Sequence, residues 1–252
     1  MILRRMGNKS KIAKEIQKHF PSHTMYVEPF FGAGGMFFNK PKVKYNIVND
    51  FDNDVFNLFQ VVSTKKDELE KQMEILPIHN GLLEYWKKNN EDDEIRKALR
   101  FIFLSNFTYM CAGASMLFGT ENPKKIFYKR IDKTFELIKD VQFGNKDFRV
   151  FFTQLKEKNA VNGLIYCDPP YLGTNDNYSN SFNETDSNDL FDCLEKSKYK
   201  FAMSEFDHPF IIEQAEKRGL NIFVIGERGN LKNFKTEILV TNYENLQQSL
   251  FA

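Results

Sequence analysis

The sequence is poor in cysteine: Cys111, Cys167 and Cys193 stand far apart among 252 residues. Such spacing excludes a disulfide framework and a zinc site of the CxxC kind. His19, His23, His79 and His208 are equally scattered, so no metal is expected. No apolar run approaches the roughly 20 residues that a bilayer-spanning helix needs. The opening MILRRMGNKSK turns polar after three residues and lacks a leader-like apolar core, which points to a cytoplasmic protein. A large charge of one sign is missing too, since 35 Lys and Arg face 34 Asp and Glu. With 42% hydrophobic and 27% charged residues, fibrous and wholly disordered readings fall away. The length suits one large domain, or one domain with an insertion.

The balanced total hides local asymmetry. Residues 1–18 hold Arg4, Arg5, Lys9, Lys11, Lys14 and Lys18 against Glu15 alone, and residues 124–149 carry a further excess that includes Lys124, Lys125, Lys129 and Arg130. Two such segments are either solvated helix faces or a phosphate-binding surface.

Along the chain, MYVEPF reads as a strand ending at the glycine turn Gly32-Ala33-Gly34-Gly35, with MFFNK opening a helix. Tyr45–Asn49 reads as a second strand ending at Asp50, and residues 54–62 have helical spacing. This βαβα opening predicts an α/β fold. Residues 64–145 change character and read as an inserted, mostly helical domain, so that 1–63 and 146–252 form the other. The apolar run GLIYC, residues 163–167, fits a buried parallel strand. A helix near 186–197, a strand at 199–203, a helix at 209–218 and strands at 221–225 and 236–242 follow. The turn ERGNLKNF makes the last two strands antiparallel neighbours. The stretch 175–189, rich in Asn, Ser and Asp, reads as a loop that can carry Tyr178 and Phe182 to a ligand.

Chemistry concentrates at two turns. Glycines after a first strand let a ligand approach the backbone, and an acid after the second strand, Asp50, can hold ribose hydroxyls. The order Gly32-x-Gly34-Gly35 does not fit GxGxxG, and Glu28 beside it would repel phosphate, so a nucleoside cofactor without phosphates is favoured. At the end of GLIYC stand Asp168, Pro169, Pro170 and Tyr171. The prolines remove backbone donors and leave carbonyls outside the ladder. With one carboxylate and one ring, the set can accept an amino group's hydrogens and stack on the base that bears it.

The landmarks RRMGNKSK, VEPFFGAGG, NDFDNDVFNLF, NKDF, YCDPPY and EILVTNY stand in one order along nearly the whole chain. In these the sequence resembles the Dam-like DNA adenine methyltransferases. The resemblance implies a Rossmann-like methyltransferase sheet that uses S-adenosylmethionine, with a helical DNA-recognition domain inserted. It implies that Arg5, Lys9, Asp50 and Asp168 bind the methyl donor, that Glu28, Phe30, Phe31, Gly32 and Gly34 line its pocket, and that Phe148 packs on its adenine. Asp168, Pro169, Pro170 and Tyr171 are then the catalytic set. Double-stranded DNA is the expected partner of a monomer, through Lys9, Asn106, Tyr109, Lys124, Lys125, Lys129, Arg130 and Tyr178. A cognate restriction endonuclease is the protein partner to look for. The family's base-reading arginines are missing between Asn106 and Ser115, so recognition of GATC is not carried over. Alternatives are methylation of cytosine N4 or RNA adenine, a DNA-binding module without activity and, more distantly, a dehydrogenase.

Overall fold

A computed structural model describes residues 2–5, 7–111, 113–119, 122–173, 182–230 and 233–244. Its centre is a sheet of β1 (Met25–Glu28), β2 (Tyr45–Asn49), β3 (Gln142–Gly144), β4 (Gly163–Cys167), β5 (Lys200–Phe206), β6 (Asn221–Asn230) and β7 (Asn233–Thr241). The strands lie in the order β3-β2-β1-β4-β5-β7-β6. The first five are parallel, and β7 runs antiparallel to both neighbours.

Side chains alternate along a strand, and this divides the core in two. Tyr26, Leu164, Tyr166, Ala202 and Leu239 face one apolar layer. Val27, Ile165, Cys167, Phe201, Met203, Ile238 and Val240 face the other. Both faces are therefore covered, which is why GLIYC is apolar throughout and wholly buried.

On the first face lie α1 (Ala13–Gln17), α2 (Asn53–Thr64), α3 (Lys66–Ile75), α4 (Asn80–Lys88), α5 (Glu94–Asn106) and α6 (Pro123–Ile138). Leu69, Met73, Trp86, Ile102, Phe103, Phe127 and Ile131 join Val55, Leu58 and Phe59 of α2 in one continuous core. The helices read as an insertion thus build on the same apolar layer as α2. The second face carries α7 (Phe148–Thr153), α8 (Glu184–Ser197) and α9 (Pro209–Lys217).

Three local readings change. The helix expected at MFFNK is a single 3-10 turn, Phe37–Asn39, because Lys40 precedes Pro41 and takes extended backbone at φ −110°, ψ 156°. Gln142–Gly144, before the expected boundary at 146, is an edge strand of the sheet beside β2. Strands β6 and β7 are longer than read, and the hairpin pairing is antiparallel as read. Among the described residues no helix is long and apolar enough to cross a membrane.

Candidate active site

The strand order reverses between β1 and β4, and a cavity opens there at the strands' carboxyl ends, where α/β sheets bind ligands. Its wall includes Arg5, Lys9, Glu28, Phe30, Phe31, Gly32, Asp50, Phe148, Asp168 and Pro170. These residues come from five of the landmark segments.

The glycine turn is shaped by what touches it. Asp50, at the end of β2, accepts the Gly32 amide at 2.6 Å through one oxygen and the Asp52 amide at 2.9 Å through the other. Two lone-pair directions remain for a ligand. Burial pushes the Asp50 carboxyl above its ordinary range. Gly35 must lack a side chain, since a Cβ there would lie 2.2 Å from Asn8 Oδ1 and 2.8 Å from the Lys9 amide. That closeness locks the N-terminal GNKS loop onto the turn. Gly34 faces away from the cavity: at φ +71° it backs onto the Phe38 and Phe31 rings. Phe31 borders the cavity, yet its ring packs on Phe37, Phe38, Phe59 and Phe143 in the core. The sequence reading placed both among pocket-lining residues; their main contacts are with the core.

Phe30, Phe148 and Phe182 form an aromatic corner with centroids 5.6 to 6.2 Å apart. Asn49 fixes the segment behind it, donating to the carbonyls of Pro29 and Lys146 and accepting the Lys146 amide. Asp147 caps α7. Arg149 lies over the Phe148 ring and binds Asp186 and Asp189, tying α7 to α8. Arg5 reaches Asp52 at 3.0 Å, on the oxygen that does not cap α2. Glu28 is fully buried, with one oxygen accepting the Tyr26 hydroxyl at 2.8 Å. Burial raises its carboxyl well above the ordinary range, with Asp168 and Asp50 adding to the rise.

At the cavity's other side, Lys9 Nζ donates to Asp168 Oδ1 at 2.6 Å and lies 4.5 Å from the centre of the Tyr171 ring. Tyr171 donates its hydroxyl to Glu237 at 2.6 Å and meets Phe206 edge-on. Pro169 and Tyr171 are buried, while Asp168 and Pro170 line the cavity. Two acids that sequence reasoning missed stand here, Glu237 on β7 and Glu205 on β5, both buried. Glu205 accepts the backbone amides of Phe206 and Leu172, bracing the loop after Tyr171. Glu237 opens the EILVTNY landmark, a signal whose content became visible only in three dimensions.

The chain matches the D12 class N6 adenine-specific DNA methyltransferase family over residues 6–224. It belongs to that family. It is also similar to the DNA adenine methylase of Salmonella typhi, at 28% identity over 206 residues, covering 75% of this chain and 73% of the relative. The DNA adenine methylase of Vibrio cholerae serotype O1 (strain ATCC 39541 / Classical Ogawa 395 / O395) is 27% identical over 215 residues, 76% and 74% of the two chains. That of Escherichia coli (strain K12) is 27% identical over 178 residues, 66% and 62%. The reaction is methyl transfer to N6 of adenine in DNA.

The residues expected to touch DNA divide. Asn106 is buried in the methyltransferase, its amide spanning the Arg4 N–H at 2.9 Å and the Ile2 carbonyl at 2.7 Å. It pins the N-terminal segment and does not present itself to a groove. Lys9 is 3% exposed and engaged by Asp168, so it is not a surface contact for phosphate. Lys124 gives its ammonium to the Glu74 carbonyl at 2.9 Å. Lys125, Lys129 and Arg130 are exposed on α6, and Tyr109 is exposed on a turn closed by the Thr108–Met116 bridge. Leu117 and Phe118, which sequence reasoning did not single out, are exposed beside that bridge. Tyr178 lies outside the described residues.

Proposed function

We propose that the cavity binds S-adenosylmethionine and that the amino group of an adenine turned out of duplex DNA is received at Asp168. The observation that carries this is the Lys9–Asp168 contact on the cavity wall. An ammonium already sits 2.6 Å from Oδ1, so this oxygen accepts a positively charged N–H donor, which is what the amino nitrogen becomes as it is methylated.

The residues present suit the cofactor. Asp50 has acceptor capacity left for ribose hydroxyls, the Phe30–Phe148–Phe182 corner offers faces for a purine, and the buried Glu28 suits a cationic group. When bound, the cofactor supplies an electrophilic methyl group. Asp168 holds and orients the amino group and takes the proton that its nitrogen sheds, while the Pro169 carbonyl is a second acceptor. Tyr171 supplies the ring for stacking. Acceptors that strengthen as positive charge grows on nitrogen lower the barrier by differential binding.

The helical segment 64–145 serves as the target-recognition part, with the α6 cations on phosphate and Tyr109, Leu117 and Phe118 available to wedge against unstacked bases. The enzyme works as a monomer in the cytoplasm, with a cognate restriction endonuclease as a candidate partner. The test is transfer of radiolabelled methyl groups to defined duplexes, followed by nucleoside analysis. N6-methyladenine from the wild type, lost about a hundredfold or more in Asp168→Ala, is expected. Asp168→Ala within about threefold of wild type would displace the active site from this loop.

A further inference from the structure

Four groups meet the Lys9 ammonium: Asp168 Oδ1 at 2.6 Å, the Gly7 carbonyl at 3.5 Å, Glu237 Oε1 at 3.5 Å and the face of the Tyr171 ring at 4.5 Å. The same Glu237 oxygen accepts the Tyr171 hydroxyl at 2.6 Å. Lys9 therefore occupies both features that the adenine requires, the Asp168 oxygen and a face of the ring. A buried ammonium cannot be moved into a low-dielectric interior without a counter-charge. Glu237, fully buried on β7 and opposite Phe206 of β5 in the sheet, stands where that counter-charge is needed.

We propose that Glu237 is a positioning residue for methyl transfer: it anchors the Tyr171 ring through its hydroxyl and receives the Lys9 ammonium when the amino group of the target takes Asp168. The proposal rests on the reading that the amino group binds at Asp168. Closing the present 3.5 Å separation to an ordinary charged hydrogen bond requires a movement of less than about 1 Å. The lysine then leaves Asp168 without leaving the protein interior. With no charge at position 237, Lys9 stays on Asp168 and competes with the substrate.

The test uses the full chain, saturating S-adenosylmethionine and a duplex with one target adenine, under single-turnover conditions. Glu237→Gln should bind the cofactor within about twofold of wild type yet transfer methyl groups about tenfold more slowly or worse, with the loss in the rate rather than in cofactor affinity. Because the glutamine amide oxygen can still accept the Tyr171 hydroxyl, the effect of Glu237→Gln runs through Lys9, and the double variant Lys9→Gln/Glu237→Gln should be no slower than Lys9→Gln alone. Tyr171→Phe, which keeps the ring and deletes the anchor, should lose about threefold or more, and it decides the matter should Glu237→Gln fail to fold. Wild-type rates in Glu237→Gln or in Tyr171→Phe, or losses from positions 9 and 237 that multiply, overturn the proposal. If this happens beside an inactive Asp168→Ala, the proposal fails alone; an active Asp168→Ala overturns the reading of the site and the proposal with it.

Discussion

The Asp50 carboxylate takes the Gly32 amide hydrogen at 2.6 Å, 18 residues back along the chain. One side chain thereby joins the end of β2 to the turn after β1 and still faces the cavity. Asp50→Ala should weaken S-adenosylmethionine binding by about 1.5 to 3 kcal/mol, the scale for losing a charge-assisted hydrogen bond. Titration calorimetry on the folded variant checks this, and unchanged affinity would remove Asp50 from the cofactor site.

Glu28 should make cofactor binding depend on pH. Its buried carboxyl has a raised pKa, so the folded protein keeps a proton that a free carboxyl near 4.5 would have lost. A cationic ligand favours the ionised form. Binding below the raised value should thus release a proton, and affinity should climb with pH through that window and then level off. Calorimetry in two buffers of different ionisation enthalpy reads the proton directly. The heats should differ for wild type and coincide for Glu28→Gln.

Much of this site was legible in the sequence, and the physical reasons differ by residue. Asp50 and Asp168 were readable because each follows a short apolar run at a strand end, where the chain must turn. Glu237 was not: its partners Tyr171 and Lys9 are 66 and 228 residues away, and only the antiparallel placement of β7 beside β5 brings them together. Gln142–Gly144 escaped because a three-residue edge strand, half exposed, shows no periodicity. Asn106 misled because its polar side chain is spent inside the protein, on backbone groups of residues 2 and 4.

Affinity for DNA should respond to salt through α6. Replacing Lys125, Lys129 and Arg130 together by alanine should flatten the slope of log affinity against log salt by about three, while Lys124→Ala should change it little. Sequence preference should survive, since phosphate contacts position and base contacts specify. Fluorescence anisotropy across a salt series makes the comparison; an unchanged slope would place the phosphate surface elsewhere.

Lys40 should cost stability at neutral pH. Burial pushes its ammonium down to about 8, although the Tyr26 ring lies 4.1 Å away and the Pro41 carbonyl accepts at 2.8 Å. The folded state therefore binds this proton less tightly than the unfolded chain, and the penalty is full below about pH 8 and gone above the ordinary 10.5. Lys40→Met should raise the melting temperature at pH 7, by up to the equivalent of about 3 kcal/mol, with the gain shrinking toward pH 10. Thermal denaturation at both pH values reads the difference.

Strand β7 slots between β5 and β6 although it comes last of the three in the chain. During synthesis β5 and β6 emerge first, yet they are not neighbours in the folded sheet, so the edge of β5 lacks its native partner until β7 arrives. Glu237 travels in with that strand. A chain halted after β6 would hold the glycine turn, Asp50 and Asp168 while lacking the acid beneath Tyr171, and would present a bare strand edge of the sort that draws chains into aggregates. The order of the strands thus ties completion of the candidate site to the arrival of β7, and makes maturation of the methyltransferase wait on the synthesis of that strand.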